Sequence, residues 1–371
     1  MKMSKTANIL VRLLAIILLL SLGAVFITSG LYRSSFKGIG YKLVEFNGDM
    51  SKIIHMQGYN SEIGLYFTDD YYYVSITEKT STDYEVSQTL AFRDFLKENN
   101  INLLYVNEPT KYVDDLQFRE SLGVESYSNR NADLFLSRIR EAGVSTIDLR
   151  DNLTADGIDV KDLFYNTDHH WTTGAGLWAS RIMADGLNRY CGYDIDLSIY
   201  DEDRYEYKTW SSCWLGEQGR KTGAYSDLDD YTEIKPAFET DYTFINNDQT
   251  TYNGDFSNFI NEDFYVTSDN VYVDASWHYS YQLINCINNN VDSGKVLLIA
   301  DSYDHVTECF LSLGVHEIDV IILRDAEDDF HLKEHILQNG YDTVVIAYAQ
   351  HMIGAREDPA SNNKQMFSFD R

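Results

Sequence analysis

Residues 295–303 read Lys-Val-Leu-Leu-Ile-Ala-Asp-Ser-Tyr, a compact apolar run that ends in an acid and a serine. Five successive apolar residues between polar ones are typical of a strand that is buried on both faces, as in a parallel sheet. The next segment, 305–313, has the apolar spacing of a helix. Ser302 is thus predicted at the carboxyl end of a buried strand, directly before a helix. Ligand sites of open α/β sheets form at this position.

The same alternation continues on both sides of this segment. Downstream, a predicted helix at 331–338 lies between predicted strands at 319–323 and 342–349. Upstream, helices are predicted at 86–99, at 131–142 and from Thr172 or Thr173 to about 190, with strands at 101–106 and 144–149. Strands that alternate with helices are joined by crossovers and form a parallel sheet covered on both faces. The fold class predicted is α/β, with a three-layer core and a mainly parallel sheet.

Residues 192–290 interrupt the alternation and are rich in aromatic side chains. This segment holds 20 Phe, Tyr and Trp residues, and 19 acidic side chains against 5 basic ones. One interpretation is an α+β insertion whose aromatic residues fill a small core of its own. The other is a carbohydrate-binding lip, because aromatic faces stack on sugar rings and carboxylates bind their hydroxyls.

The N-terminal segment predicts a membrane anchor. Residues 13–32 contain no charge, and 20 residues of helix reach roughly 30 Å, enough to cross a membrane. Lys2, Lys5 and Arg12 precede the segment, which favours a cytoplasmic tip and an exported C-terminal domain. A cleaved signal peptide is the alternative. The predicted organisation is an anchor at 1–34, an α/β domain at 45–352 with its insertion, and a C-terminal tail at 353–371.

Composition excludes one class of partner. The chain of 371 residues has a formal net charge of -28, and nucleic-acid binding needs clustered Lys and Arg. No DNA or RNA partner is therefore expected. The four cysteines, Cys191, Cys213, Cys286 and Cys309, are widely spaced. Their pairing stays open, with unpaired or structural thiols preferred.

The segment 165–172, Tyr-Asn-Thr-Asp-His-His-Trp-Thr, carries the sharpest chemical pattern. In an extended segment Asp168 and His170 point the same way, while His169 points elsewhere. Asp168 then orients His170 as a general base, and Ser302 is the candidate nucleophile, with the start of the following helix stabilising an oxyanion. The structural alternatives are a capping Asp, histidines satisfied in the core, and an ordinary N-cap serine.

The Asp-His-His-Trp string, followed about 130 residues later by a strand that ends in Asp-Ser-Tyr, resembles the bacterial DHHW family. More broadly, it is similar to the SGNH hydrolase-like domains of the AlgX and AlgJ alginate O-acetylation proteins. Segments 106–112, 215–220 and 323–324 also look like that family, and the resemblance covers about residues 50–352.

This resemblance implies an extracytoplasmic Ser-His-Asp acetyltransferase or esterase that acts on polysaccharide hydroxyls, with Asp and His before Ser in the chain. It requires no cofactor and no metal. A transferase would need a membrane protein of the MBOAT type to deliver acetyl groups, and the chain would be a single-pass protein of the cell membrane. The candidates for the oxyanion site or for substrate contact are Gly216, Gly219, Arg220, Arg324, Lys111 and Tyr303.

Three other functions remain open on the sequence. With water as acceptor, the same triad makes a carbohydrate O-acetyl esterase. A glycan-binding or scaffold protein of the cell envelope would have this fold without catalysis. A metal-dependent phosphoesterase would use Asp168, His169 and His170 as ligands, but no further cluster with convincing spacing supports it.

Overall fold

The computed structural model describes residues 76–112, 114–214, 216–222, 228–246, 248–261, 279, 285–354 and 361–370, together with short pieces before residue 76. Its strands are β1 Gly58–Asn60, β2 Leu65–Phe67, β3 Tyr72–Tyr73, β4 Asn102–Glu108, β5 Ser145–Asp148, β6 Tyr205–Trp214, β7 Asp229–Pro236, β8 Tyr242–Ile245, β9 Thr251–Gly254, β10 Asn285–Asn288, β11 Lys295–Ile299, β12 Glu317–Ile321 and β13 Thr343–Ala349. Its helices are α1 Asp83–Glu98, α2 Asp115–Leu122, α3 Ser128–Glu141, α4 Leu149–Asp156, α5 Thr173–Gly186, α6 Glu217–Thr222, α7 Asp304–Leu311, α8 Leu332–Asn339 and α9 Asn362–Met366.

The central sheet has the strand order β5-β4-β13-β11-β12-β10-β8-β9. The first five strands are parallel, and β10, β8 and β9 pair in an antiparallel way. The strand that precedes Ser302, β11, lies between β13 and β12 and is buried over Val296–Ile299. The prediction of an α/β fold with a mainly parallel sheet is confirmed.

Each helix and strand predicted in the two α/β halves is present, with ends shifted by a few residues. Thr172 is the N-cap of α5, and its side chain accepts a hydrogen bond from the Ala175 N–H. The α-helical part ends at Gly186, and a π-helical turn over Leu187–Cys191 follows it directly. Two short helices, α2 and α4, were not predicted. Each begins behind an aspartate N-cap and ends at a glycine with positive φ.

Residues 192–290 extend the central sheet. The strands β8, β9 and β10 attach to β12, and the side chains of Tyr242, Phe244 and Phe259 are buried with ring centroids 5.1 to 5.7 Å apart. A separate antiparallel ribbon is formed by β6 and β7. The aromatic residues of the described part of this segment therefore serve the main core as well as the ribbon.

The segment predicted as a C-terminal tail is part of the core. Met366, Phe367 and Phe369 are almost completely buried. Phe369 stacks on Phe92 at a centroid distance of 4.9 Å, and Phe367 packs edge-on against Phe135. Burying these rings removes a large apolar area from water, which holds the last residues against α1 and α3.

No helix in the described ranges is long and apolar enough to span a membrane. The predicted anchor, residues 13–32, lies mostly outside those ranges. The strands β1, β2 and β3 pair into a small antiparallel sheet. All four cysteines are free thiols, and only Cys191 is not buried.

Candidate active site

Ser302 lies in the short turn between β11 and α7. The carboxylate of Asp301 holds this turn, because one oxygen accepts the Tyr303 N–H at 2.8 Å and the other accepts the Ala349 N–H at 2.7 Å. The second bond ties the turn to the end of β13, the neighbouring strand in the sheet. Strand β11 therefore brings Ser302 to the carboxyl end of the parallel sheet, and the two hydrogen bonds of Asp301 fix its position there.

Three of the predicted side chains form one hydrogen-bonded chain. Nδ1 of His170 lies 2.6 Å from Oδ1 of Asp168, and Nε2 of His170 lies 3.1 Å from Oγ of Ser302. Asp168 is buried, whereas His170 is partly exposed. A carboxylate on Nδ1 leaves Nε2 of a neutral imidazole without its proton, so this nitrogen can accept the serine proton.

The environment keeps the carboxyl of Asp168 ionised. Burial alone would raise its pKa, but the adjacent His170 and His169 and the N–H of Glu217 hold the pKa well below its usual range. The Glu217 N–H donates to Oδ2 at 2.6 Å. Both oxygens of Asp168 therefore have donors, which fixes the carboxylate and, through it, the ring of His170.

The expectation that His169 points away from the site is wrong. The rings of His169 and His170 stack with centroids 3.9 Å apart, and Nδ1 of His169 lies 3.4 Å from Oδ1 of Asp168. The segment is bent, because Oδ1 of Asp168 also accepts the His170 N–H at 2.9 Å, as in an Asx turn. Burial and the neighbouring His170 lower the pKa of His169 to about 3, so this ring is neutral at pH 7.

Gly216 and Gly219 hold the loop that carries Asp168. Their N–H groups donate to the side chain and to the carbonyl of Thr167, each at 2.7 Å, so in this structure both are committed to the loop and neither is an oxyanion donor. A Cβ atom at Gly216 would lie 2.3 Å from Cβ of Asp168. Only glycine permits this close approach.

Sequence reasoning missed Asp229, the first residue of β7. Its carboxylate accepts the N–H groups of Asn166 at 2.7 Å and Thr167 at 2.8 Å, and it also accepts the Thr167 hydroxyl. The bonded residues are separated by 63 and 62 positions in the chain. No local sequence pattern could therefore have indicated these bonds. Through Asp229, the β6–β7 ribbon therefore supports the loop that carries Asp168.

Lys111 is a buried side chain beside the same loop. Its ammonium donates to the Asn166 carbonyl at 3.1 Å and to Oε1 of Gln218 at 2.8 Å. Burial lowers the pKa of Lys111 to about 7. These contacts join the segment that follows β4 to α6 and to the loop of Asp168. In this structure Lys111 therefore supports the loop. The side chain of Arg220 lies outside the described residues.

Tyr303 packs under the imidazole rings. Its ring centroid lies 6.0 Å from that of His170 and 5.7 Å from that of Trp171, and the residue is buried. Arg324 follows β12 and contacts Asp325, with Nε and Oδ1 3.4 Å apart. Burial, the charge of His170 and the charge of Arg324 together lower the pKa of His305 to about 4. Arg324 is therefore an electrostatic neighbour of the site.

His351 also borders the site, and the sequence analysis did not single it out. Its ring centroid lies 5.9 Å from that of Tyr303, and burial lowers its pKa. The residue follows β13, whose carboxyl end lies beside that of β11. The signal that could have found it is its position just after the last strand of a parallel sheet.

The cluster of Asp168, His169 and His170 has donor atoms close enough to hold a metal. Here, however, Asp168 accepts hydrogen bonds on both oxygens and His170 bridges to Ser302. This arrangement fits proton transfer to and from a serine. A metal bound to these three residues would displace those contacts, so the arrangement favours the triad over the metallophosphoesterase interpretation.

Residues 65–194 match the family model described as the SGNH hydrolase-like domain, acetyltransferase AlgX. This stretch of the chain is therefore similar to that domain. The matched region contains Asp168 and His170 but ends before Ser302. The resemblance inferred from the sequence is thereby confirmed. The sequence matches no curated protein.

Solved structures share the fold of this chain. Bacillus cereus PatB1 with a sulfonyl adduct superimposes with a TM-score of 0.64 at 16% identity, over 83% of this chain and 100% of that chain. A DHHW family protein from Eubacterium siraeum gives a TM-score of 0.61 at 14% identity, over 81% and 93%. The likeness therefore covers about four fifths of this chain.

Proposed function

We propose that the protein is a serine acyltransferase in which Ser302 is the nucleophile, His170 the general base and Asp168 the group that orients it. The observation that carries this proposal is the unbroken contact from Asp168 through both nitrogens of His170 to Oγ of Ser302. The matched family model, which is described as an acetyltransferase domain, supports acetyl as the acyl group.

The proposed reaction has two half-reactions. Nε2 of His170 takes the proton of Ser302 while Oγ attacks the carbonyl carbon of an acyl donor. His170 then returns the proton to the leaving group, and an acetyl-serine remains. In the second half, His170 removes the proton from an acceptor hydroxyl, which attacks the acetyl-serine and regenerates Oγ–H.

The oxyanion in this proposal forms at the start of α7. The Ser302 N–H lies in the turn before this helix, where the helix dipole favours negative charge. Arg324 supplies a positive charge on the side of β12. Gly216 and Gly219 act instead by holding the loop of Asp168.

We propose a sugar hydroxyl of a cell-surface or exported polysaccharide as the acceptor. The exposed aromatic side chains Tyr207 and Tyr252 offer stacking surfaces on the β6–β7 ribbon and on β9. If water is the acceptor, the same residues make a carbohydrate O-acetyl esterase. We further propose that the anchor predicted from the sequence holds the site outside the cell membrane, where an MBOAT-type membrane protein would supply acetyl groups.

The test is intact mass spectrometry of the full-length protein after brief incubation with p-nitrophenyl acetate. Ser302→Ala and His170→Ala are compared with the wild type. We expect a transient gain of one acetyl group in the wild type, none in Ser302→Ala, and a much slower gain in His170→Ala. Addition of oligosaccharide acceptors then separates transfer to sugar from hydrolysis.

An adduct of equal size in Ser302→Ala would place the acetyl group elsewhere and refute the proposed nucleophile. Absence of an adduct in every variant, together with glycan binding that survives Ser302→Ala, would support the alternative of a binding protein.

A further inference from the structure

A second cluster of acids lies beside the turn of Ser302 and plays no part in the proposed reaction. Glu108 ends β4, Asp301 follows β11, and Asp304 begins α7. One carboxylate oxygen from each lies within 4.8 Å of the other two. All three residues are buried, with at most 1% of their surface exposed. Three separate elements thus bring carboxyl groups to one point in the interior.

The carboxyl of Glu108 has the carboxyl of Asp304 as its side-chain neighbour and no described cation to balance it. Neither of its oxygens, and neither oxygen of Asp304, has a hydrogen-bond partner of good geometry among the residues that the structure describes. No described Lys or Arg forms a salt bridge with them. Glu308, one turn further along α7, adds another buried carboxyl with an unpartnered oxygen. Burying such groups without a partner is costly.

Protons or a cation can offset this cost. Burial, with the nearby acids, raises the pKa of Glu108 and Asp304 well above the usual range. A shared proton, however, joins only two oxygens, whereas three carboxyl groups converge here. The two oxygens of Asp301 already accept backbone N–H groups. A proton shared between Glu108 and Asp304 would therefore leave their other two oxygens without a donor from Asp301.

We propose that Glu108, Asp301 and Asp304 form a binding site for one hard divalent cation, with calcium as the best fit. Oxygen-only donors favour calcium, magnesium or manganese over zinc. Calcium accepts bidentate carboxylates and an irregular shell, while magnesium keeps several waters, for which a buried site leaves little room. Because Asp301 and Asp304 flank Ser302, the cation would fix the turn that carries the serine.

The experiment measures calcium content and thermal stability of the full chain in detergent at pH 8. The wild type is compared with Glu108→Gln, which removes one charge at nearly constant shape. The control is Glu233→Gln, since Glu233 is also buried but has a cationic partner, Lys235, at 3.0 Å. After equilibration with calcium and gel filtration, we expect one calcium per wild-type and Glu233→Gln chain, and much less in Glu108→Gln.

The melting temperatures of the wild type and of Glu233→Gln should also be several degrees higher in calcium than in chelator. The melting temperature of Glu108→Gln should be the same in both. Stoichiometric manganese or magnesium instead would support a hard-cation site and reject calcium as the ion. Wild type that holds no stoichiometric divalent ion and melts alike in calcium and chelator would overturn the proposal. The acids would then be neutralised by protons. The readouts do not depend on acyl transfer.

Discussion

At the scale of residues, the candidate triad could be predicted because its signals are local. Asp168 and His170 are two positions apart, and Ser302 is marked by the apolar strand before it. The supports of the triad could not be predicted. The bonds from Asp229 to the loop, and from Gly216 to Thr167, join residues far apart in the chain. Such partners become neighbours only after the sheet and ribbon have formed.

The role of Asp168 is tested by Asp168→Asn. An amide keeps the size of the side chain, but it cannot stabilise the imidazolium as a carboxylate does, and it favours the wrong tautomer of His170. We expect kcat for p-nitrophenyl acetate to fall by a factor on the order of 10³ to 10⁴, with little change in KM. Steady-state kinetics measures both. A loss below tenfold, in a variant with wild-type circular dichroism, would show that Asp168 does not orient the base.

At the scale of elements, the helix α5 supports the helix that follows Ser302. The side chain of Val306 on α7 lies against Gly176 on α5, and the hydroxyl of Ser180 donates to the Thr307 carbonyl at 2.9 Å. The sequence predicted both helices, α5 from its capping threonine and α7 from its position after the strand. It did not predict their close approach, because a glycine within a helical pattern does not reveal which side chain it accommodates.

This close approach predicts opposite effects for two glycines of the same helix. A Cβ at position 176 would lie 2.5 Å from Cγ1 of Val306, whereas at Gly174 the nearest atom would be 4.0 Å away. Gly176→Ala should lower the free energy of unfolding by about 1 to 3 kcal/mol through overpacking. Gly174→Ala should be neutral or stabilise by up to about 1 kcal/mol. Denaturant titration measures both.

Because α7 begins two residues after Ser302, Gly176→Ala should also slow esterase turnover, while Gly174→Ala should leave it unchanged. Equal stability of the two variants would argue against tight packing of α5 on α7.

At the scale of the whole molecule, the parallel half of the sheet followed from the alternation of helices and strands. The antiparallel extension did not. The strands β8, β9 and β10 are short and lie in a segment without regular alternation, and their pairing with β12 depends on contacts across the chain. Likewise, the buried rings of Phe367 and Phe369 follow residues 353–361, whose sequence shows no regular apolar spacing. Aromatic residues in such a segment do not by themselves predict burial, because the core that covers them is built from residues far away in the chain.

The whole chain has a formal net charge of -28, and its stability should depend on pH for two separable reasons. Repulsion among surface acids grows as pH rises, but salt screens it, since the Debye length is about 8 Å at 0.15 M and shorter at higher salt. Burial raises the pKa of Glu108, Asp304 and Glu308 above their unfolded values. Groups of this kind stabilise the fold below the unfolded pKa, and the contribution is lost as pH rises through the folded pKa.

In chelator and high salt, the melting temperature of the wild type should therefore retain a decline between pH 5 and pH 8 that screening does not remove. Buried histidines act in the opposite direction, because burial lowers the pKa of His169 and His351 and so favours the fold as pH rises toward their unfolded values. Comparison with Glu108→Gln cancels that contribution, since the histidines are common to both proteins. The decline should be shallower in Glu108→Gln and unchanged in Glu233→Gln. Parallel profiles for the wild type and Glu108→Gln would mean that Glu108 binds equally many protons in the folded and unfolded chains, which its burial beside other acids argues against.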